Sequence, residues 1–152
     1  MFQKRWFFPL YLLLGLVIPV SIPVFLWSED LANSFLICYA FRTVNVWHAT
    51  WFVNSLAHWE GSRPFDKTLK PVDSAFVAKV TIGEGWHNFH HRFPFDYTTS
   101  LEHKSYHWST SIINWASRHG WVWDLRRVTP SAVRQAILIS GDGSVTPDEV
   151  IG

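Results

Sequence analysis

The chain has 152 residues, a net charge of +1 and a single cysteine. That length suits one ordinary domain, the near-neutral charge without a basic tract points away from nucleic acid, and the lone Cys38 excludes an internal disulfide and reads as a packing residue. Ten tryptophans and twelve phenylalanines beside few charges favour contact with a membrane–water boundary over an ordinary soluble surface.

Phe7 to Trp27 carries no charge and is long enough as a helix to cross the hydrocarbon layer of a bilayer. Pro9, Pro19 and Pro23 lie inside it, which a membrane helix tolerates. It is too long for the apolar part of a signal peptide, and no small-residue cleavage site follows. After the acidic turn Ser28-Glu29-Asp30, a second apolar stretch runs from about Leu31 to Val53. It contains Asn33, Arg42, Asn45 and His48, and an arginine at mid-span costs roughly 2.5–3.5 kcal/mol on insertion scales. A hairpin of two spans fits the short connection. Lys4 and Arg5 precede the pair, only acids lie between, and Arg63, Lys67, Lys70 and Lys79 follow, so both ends are expected on the cytosolic side.

If the second helix continues unbroken, Trp47, Trp51, Asn54 and His58 form one stripe, with Arg42 nearly opposite, paired with another helix or snorkelling. Gly61 to Lys67 reads as a turn-rich loop. Asp73 is expected to cap a short piece running to Val80. Ser109 to Arg118 reads as a helix stopped by Gly120, with Trp121 and Trp123 beyond it touching either the membrane surface or the core. Thr129-Pro130 starts a helix running to Ser140 and ending at Gly141. Residues 141–152 read as a frayed tail.

The densest chemistry lies in Gly83-Glu84-Gly85-Trp86-His87-Asn88-Phe89-His90-His91-Arg92-Phe93-Pro94. On a helix the H-x-x-H-H spacing points three imidazoles into one arc of about 100°. Gly83 and Gly85 allow a sharp approach, and Pro94 ends the segment. Three neutral nitrogen ligands on one face suit metal binding far better than packing, and Asn54 and His58 are candidates to join from a second element. His48, His103, His107 and His119 have no ligand spacing that supports a metal role. Histidine without cysteine suits iron better than structural zinc, and beside a bilayer it suggests oxygen chemistry on a lipid-like substrate, desaturation and hydroxylation being equally open.

Asn54-Ser55-Leu56-Ala57-His58, Gly61-x-Arg63-Pro64-Phe65-Asp66-Lys67 and the histidine run through Phe95-Asp96-Tyr97, in that order, resemble the C-terminal half of the membrane acyl-CoA delta-9 (stearoyl-CoA) desaturases. Thr50-Trp51 and Gly141-Asp142-Gly143 extend the match over almost the whole chain. H-x-x-H-H alone is shared with membrane hydroxylases and alkane oxidases; the other two elements make those less apt.

The resemblance implies an all-α membrane protein of the endoplasmic reticulum. Two transmembrane helices (about 7–27 and 31–53, the third and fourth of the family) would carry a helical cytosolic cap (54–140) and part of a histidine-rich di-iron site. It implies His58, His87, His90 and His91 as iron ligands, with His58, His87 and His91 on one Fe2+ and His90 on the other. Asn54 would reach an iron through water, and Trp51 would contact the substrate. The implied reaction removes two hydrogens from a saturated fatty acyl-CoA, with O2 and electrons from a separate cytochrome b5; Arg92, Arg118, Arg126 and Arg127 are candidates for its docking face, a solvated or lipid-headgroup role being equally open. The family's two upstream histidine clusters and first two spans are missing from this sequence. It therefore reads as a fragment, a truncated gene model or a shortened paralogue, expected to be inactive alone; a catalytically inactive membrane-binding paralogue is the alternative.

Overall fold

The computed structural model describes residues 2–101 and 108–151; His103 and His107 lie outside the described residues. The chain divides into two compact units, Met1–Thr50 and Trp51–Gly152. The described residues are helical, with no strand beyond two isolated bridges, Ser62 with Asp73 and Asp73 with Trp86.

In the first unit, α1 (Phe2–Leu10), a π-helical stretch (Tyr11–Val17) and α2 (Ile18–Trp27) follow one another without a break. Lys4–Trp27 is the one helical stretch among the described residues long and apolar enough to cross a membrane, and most of it is exposed, as a helix meant for lipid would be. α3 (Leu31–Phe35), a second π-helical stretch (Leu36–Phe41) and α4 (Arg42–Leu56) form the next continuous run. The expected second span is therefore helical throughout, but its polar residues keep it below the apolarity of the first. Asp30 caps α3, its carboxylate accepting from Ala32 N at 2.9 Å and Asn33 N at 3.2 Å.

Two polar contacts join the two helical runs. The hydroxyls of Tyr11 and Tyr39 lie 3.0 Å apart. Arg42 donates from Nη2 to the carbonyl of Gly15. That contact, between the two helical runs, gives the mid-run arginine its partner.

The second unit holds α5 (Ala75–Val80), α6 (His87–Arg92), α7 (Trp108–Arg118), α8 (Pro130–Ser140) and a 3-10 turn at Pro147–Ile151. Its core joins Phe65, Phe89, Phe93 and Leu101 to Val133, Ala136 and Ile137 of α8 and to Val145. Phe89 meets Phe65 edge-on, with ring centroids 5.1 Å apart. α8 has the expected ends: the Thr129 hydroxyl accepts from Ala132 N at 3.3 Å, Pro130 opens the helix and Gly141 follows it.

Three expectations need correction. The α-helix stops at Leu56, so His58 sits in the following turn, where its N–H donates to Ser55 O at 3.1 Å. The Ala57 carbonyl is instead taken by Val72 N at 2.7 Å, which turns the chain toward the loop. Ser74, not Asp73, caps α5. The tail is not frayed. Arg63 N donates to the Asp142 carboxylate, Asp142 N donates to Arg63 O at 3.2 Å, and Val145 is buried in the core. At Gly141 a Cβ would come within 2.3 Å of Pro64 O, so only glycine allows this close return.

Candidate metal centre

α6 is a six-residue helix whose two faces do different work. Asn88 and Phe89 point inward and are buried; His87, His90 and His91 lie on the remaining arc. The turn before it is tightly built. Ser74 N donates to Gly85 O at 2.9 Å, and a Cβ on Gly85 would lie 2.0 Å from Ala78 N and 2.4 Å from Ser74 O. The start of α5 thus presses directly on the backbone leading into α6.

Two side chains fix the helix. The Asp73 carboxylate accepts from Asn88 N at 2.8 Å and Phe89 N at 3.2 Å, satisfying backbone donors that the first turn of a helix leaves open. Asn88, fully buried, uses all its amide capacity. Its Oδ1 accepts from Phe65 N at 3.0 Å and Asp66 N at 3.1 Å, while Nδ2 donates to Asp66 O at 2.9 Å and Pro71 O at 3.0 Å. The amide therefore clamps α6 to the Arg63–Lys67 loop. Asp66 in turn accepts from the Thr68 hydroxyl at 2.5 Å and from Arg92 at 3.3 Å. The Thr68 bond first, with help from Arg92, holds the Asp66 carboxyl below its ordinary value against a smaller opposing effect of burial.

The fold brings His58, from the turn after α4, against α6. One ring nitrogen each from His58, His87 and His91 lies within 4.8 Å of the others. The Nε2 atoms of His87 and His91 are 3.2 Å apart. Metal–imidazole bonds of about 2.0–2.1 Å from both nitrogens reach a common ion across that gap. His90 borders this trio without joining the three converging nitrogens: its ring lies 6.0 Å from His87 and 5.6 Å from His91, and its Nδ1 is buried without a hydrogen-bond partner among the described residues. Asn54 and Trp51 are exposed on the last turns of α4.

The electrostatics favour ligation. Burial first, then the neighbouring His91, His58 and His90, pushes the His87 imidazole down to about 4. His91 is lowered too, by burial and then by His90 and His58. A proton is thereby disfavoured on His87 and His91, and a cation with open coordination positions suits these donors better. The donor set, all imidazole with a buried unpaired nitrogen beside it, fits a transition metal such as iron.

The other sequence candidates have separate positions. His119 is turned back on its own helix, Nδ1 2.8 Å from Trp115 O, and contributes nothing to the cluster. Arg92 is engaged with Asp66, Arg126 lies 3.5 Å from Asp124 in an exposed pair, and Arg118 is exposed at the end of α7. Asn88 and the helix-starting role of Asp73 were the residues missed by sequence. Helical periodicity carries a signal for Asn88: one position after His87, it falls on the Phe89 face rather than the histidine arc.

No protein-family model matches the chain. Among curated proteins it is 39% identical over 145 residues to the acyl-CoA Delta-9 desaturase of Acheta domesticus and 42% identical over 145 residues to the acyl-CoA Delta12-desaturase of the same cricket. It is 38% identical over 144 residues to the stearoyl-CoA desaturase of Mesocricetus auratus. Each alignment covers 95% of this chain and 40–41% of the relative. Over nearly its whole length the chain is thus homologous to the acyl-CoA desaturases, and it spans about 40% of the length of the curated relatives it matches.

Proposed function

We propose that this chain forms the C-terminal, metal-holding part of an acyl-CoA desaturase of the endoplasmic reticulum membrane. It would introduce a cis double bond, at the delta-9 position, into a saturated fatty acyl-CoA. The observation that carries the reading is the convergence of His58, His87 and His91 in a chain homologous to desaturases over 95% of its length. Because the relatives include both delta-9 and delta-12 enzymes, the bond position rests on the motif resemblance alone.

In this reading residues 7–27 and 31–53 both cross the bilayer, both chain ends are cytosolic, and residues 54–140 form the cap. The Arg42–Gly15 contact supports the second crossing by giving its most costly residue a partner inside the helix pair. His58, His87 and His91 hold one Fe2+, His90 serves the second, and Asn54 contributes through water. When bound, the iron pair supplies the oxidising power to take two hydrogens from adjacent unactivated carbons, O2 being reduced to two waters with two electrons from a separate cytochrome b5 and two protons. The chain's own residues prepare for this. Burial keeps His87 deprotonated for its ion. Asp73 and Asn88 lock the orientation of α6, so the ligands need little rearrangement on binding. Trp51 presents an exposed indole to the acyl chain.

The test joins this chain to the upstream part of the cricket Delta-9 desaturase and expresses the chimera in desaturase-deficient yeast without unsaturated fatty acid. Growth is expected, with the bond position read by gas chromatography. Alanine at His58 or His90 should abolish growth. Growth that persists in either variant removes that histidine from the ligand set. A chimera that accumulates like the intact cricket enzyme yet never supports growth overturns the desaturase reading.

A further inference from the structure

α7 turns large apolar side chains outward. Toward the rest of its unit it makes polar contacts beside the half-buried Ile113: the Thr110 hydroxyl donates to Thr98 O at 3.4 Å, and Asn114 Oδ1 accepts from the Tyr97 hydroxyl at 2.9 Å. The large side chains turned away are apolar. Trp108, Ile112 and Trp115, spaced to share one helix face, are 70%, 60% and 51% exposed. Past the Gly120 turn the surface continues with Trp121, whose ring packs edge-on against Trp115 at 5.2 Å, and with Trp123, 79% exposed. A helix facing water would present the opposite pattern.

We propose that this face is a docking surface for the lipid headgroup boundary, lying flat in the interface as a second, peripheral contact separate from any membrane-crossing helix. Its composition identifies the occupant. Four of its five large side chains are indoles, which favour the boundary because an apolar ring can keep a polar N–H wet. From 108 to 128 the sequence carries Arg118, Arg126 and Arg127 against the single acid Asp124, a charge excess complementary to anionic lipid. The proposal rests on the reading that the chain is membrane-borne but not on the metal or the reaction.

The experiment uses the full chain reconstituted in phosphatidylcholine vesicles containing phosphatidylserine. Cys38→Ser removes the native thiol. Ile112→Cys or, as a control, the exposed Asp148→Cys then carries a nitrobenzoxadiazole label. Both sites are at the surface, so the fold tolerates the changes. The Ile112 label is expected to shift to the blue, to lose most of its emission to lipids spin-labelled near the headgroup, and to resist aqueous iodide. The Asp148 label should do the reverse. Replacing phosphatidylserine with phosphatidylcholine should weaken lipid quenching at Ile112. Iodide quenching equal to that of the control overturns the proposal. So does shielding from iodide and lipid alike, which would mean that a protein, a second copy included, covers the face. Loss of metal binding with the lipid contact intact would leave this inference standing and overturn only the iron reading.

Discussion

The two units solve the burial of polar groups in opposite ways. In the first, long helical runs satisfy their own backbone and leave apolar side chains exposed, with the hydroxyl pair of Tyr11 and Tyr39 and the Arg42–Gly15 contact between the runs. Its interior is sparse because its expected solvent is lipid, which rewards exposed Leu and Phe and penalises every charge. In the second, short helices of six to eleven residues would be marginal alone and are fastened by carboxylate and amide side chains to loop backbone. Asp73, Asn88, Asp96 and Asp142 all work this way; Asp96 accepts from Thr98 N at 2.8 Å and Val128 N at 2.9 Å. Polar groups are thus a burden in one unit and the fastening in the other.

Substitutions of polar side chains should therefore have opposite signs in the two units. The largest effect is expected from Asn88→Ala, which strands two backbone donors and two carbonyls in a dry interior. Unfolding of the second unit, followed by tryptophan fluorescence in denaturant, should lose about 4 kcal/mol. Arg42→Leu should go the other way, favouring insertion of residues 31–56 by about 3 kcal/mol in a translocon glycosylation assay. A loss of insertion would make the Gly15 contact more important than the charge it brings. Asp73→Ala should cost about 2 kcal/mol by removing the acceptor at the start of α6, and Asp73→Asn, which keeps an acceptor oxygen, should recover part of it in the same measurement.

The acid response sharpens the same contrast. An unfolded imidazole takes its proton near 6.5, whereas His87 does so only at about 4. The unfolded chain binds the extra proton between these values, so the metal-free second unit should lose stability as pH falls from about 6.5 to about 4. His87→Gln should flatten that slope, leaving the part that comes from His91, which is lowered too. Asp66 is lowered, so its contribution is present above 3.8 and drains as pH falls below it. The smallest effect belongs to Arg92→Ala. Its ion pair with Asp66 is 41% exposed on the arginine side, and the loss should stay below about 1 kcal/mol in chemical denaturation.

Much of this was legible in sequence where the signal is local. Thr129-Pro130 and Gly141 mark α8, Gly120 follows α7, and the spacing of His87, His90 and His91 sets their common arc. Signals failed where the partner is distant. Asp73 and Ser74 are adjacent and both are cap-forming residues; only the arrival of α6 decides that Asp73 serves the far helix. The fate of 141–152 turned on Val145, an apolar residue between polar neighbours, and on Arg63 backbone that accepts from and donates to Asp142. His58 reaches the site because Val72 captures the Ala57 carbonyl, a contact no helical stripe anticipates.

His58 and α6 come from well-separated parts of the sequence, and an unfolded chain has no reason to keep their nitrogens within 4.8 Å. An ion gathered by all three therefore recognises the folded form alone, and metal supply becomes a thermodynamic variable of the fold. Above the dissociation constant, each tenfold rise in free metal adds about 1.4 kcal/mol to the stability of the second unit. Scarcity of the ion would then reach the protein first as a lowered melting temperature and a shorter lifetime.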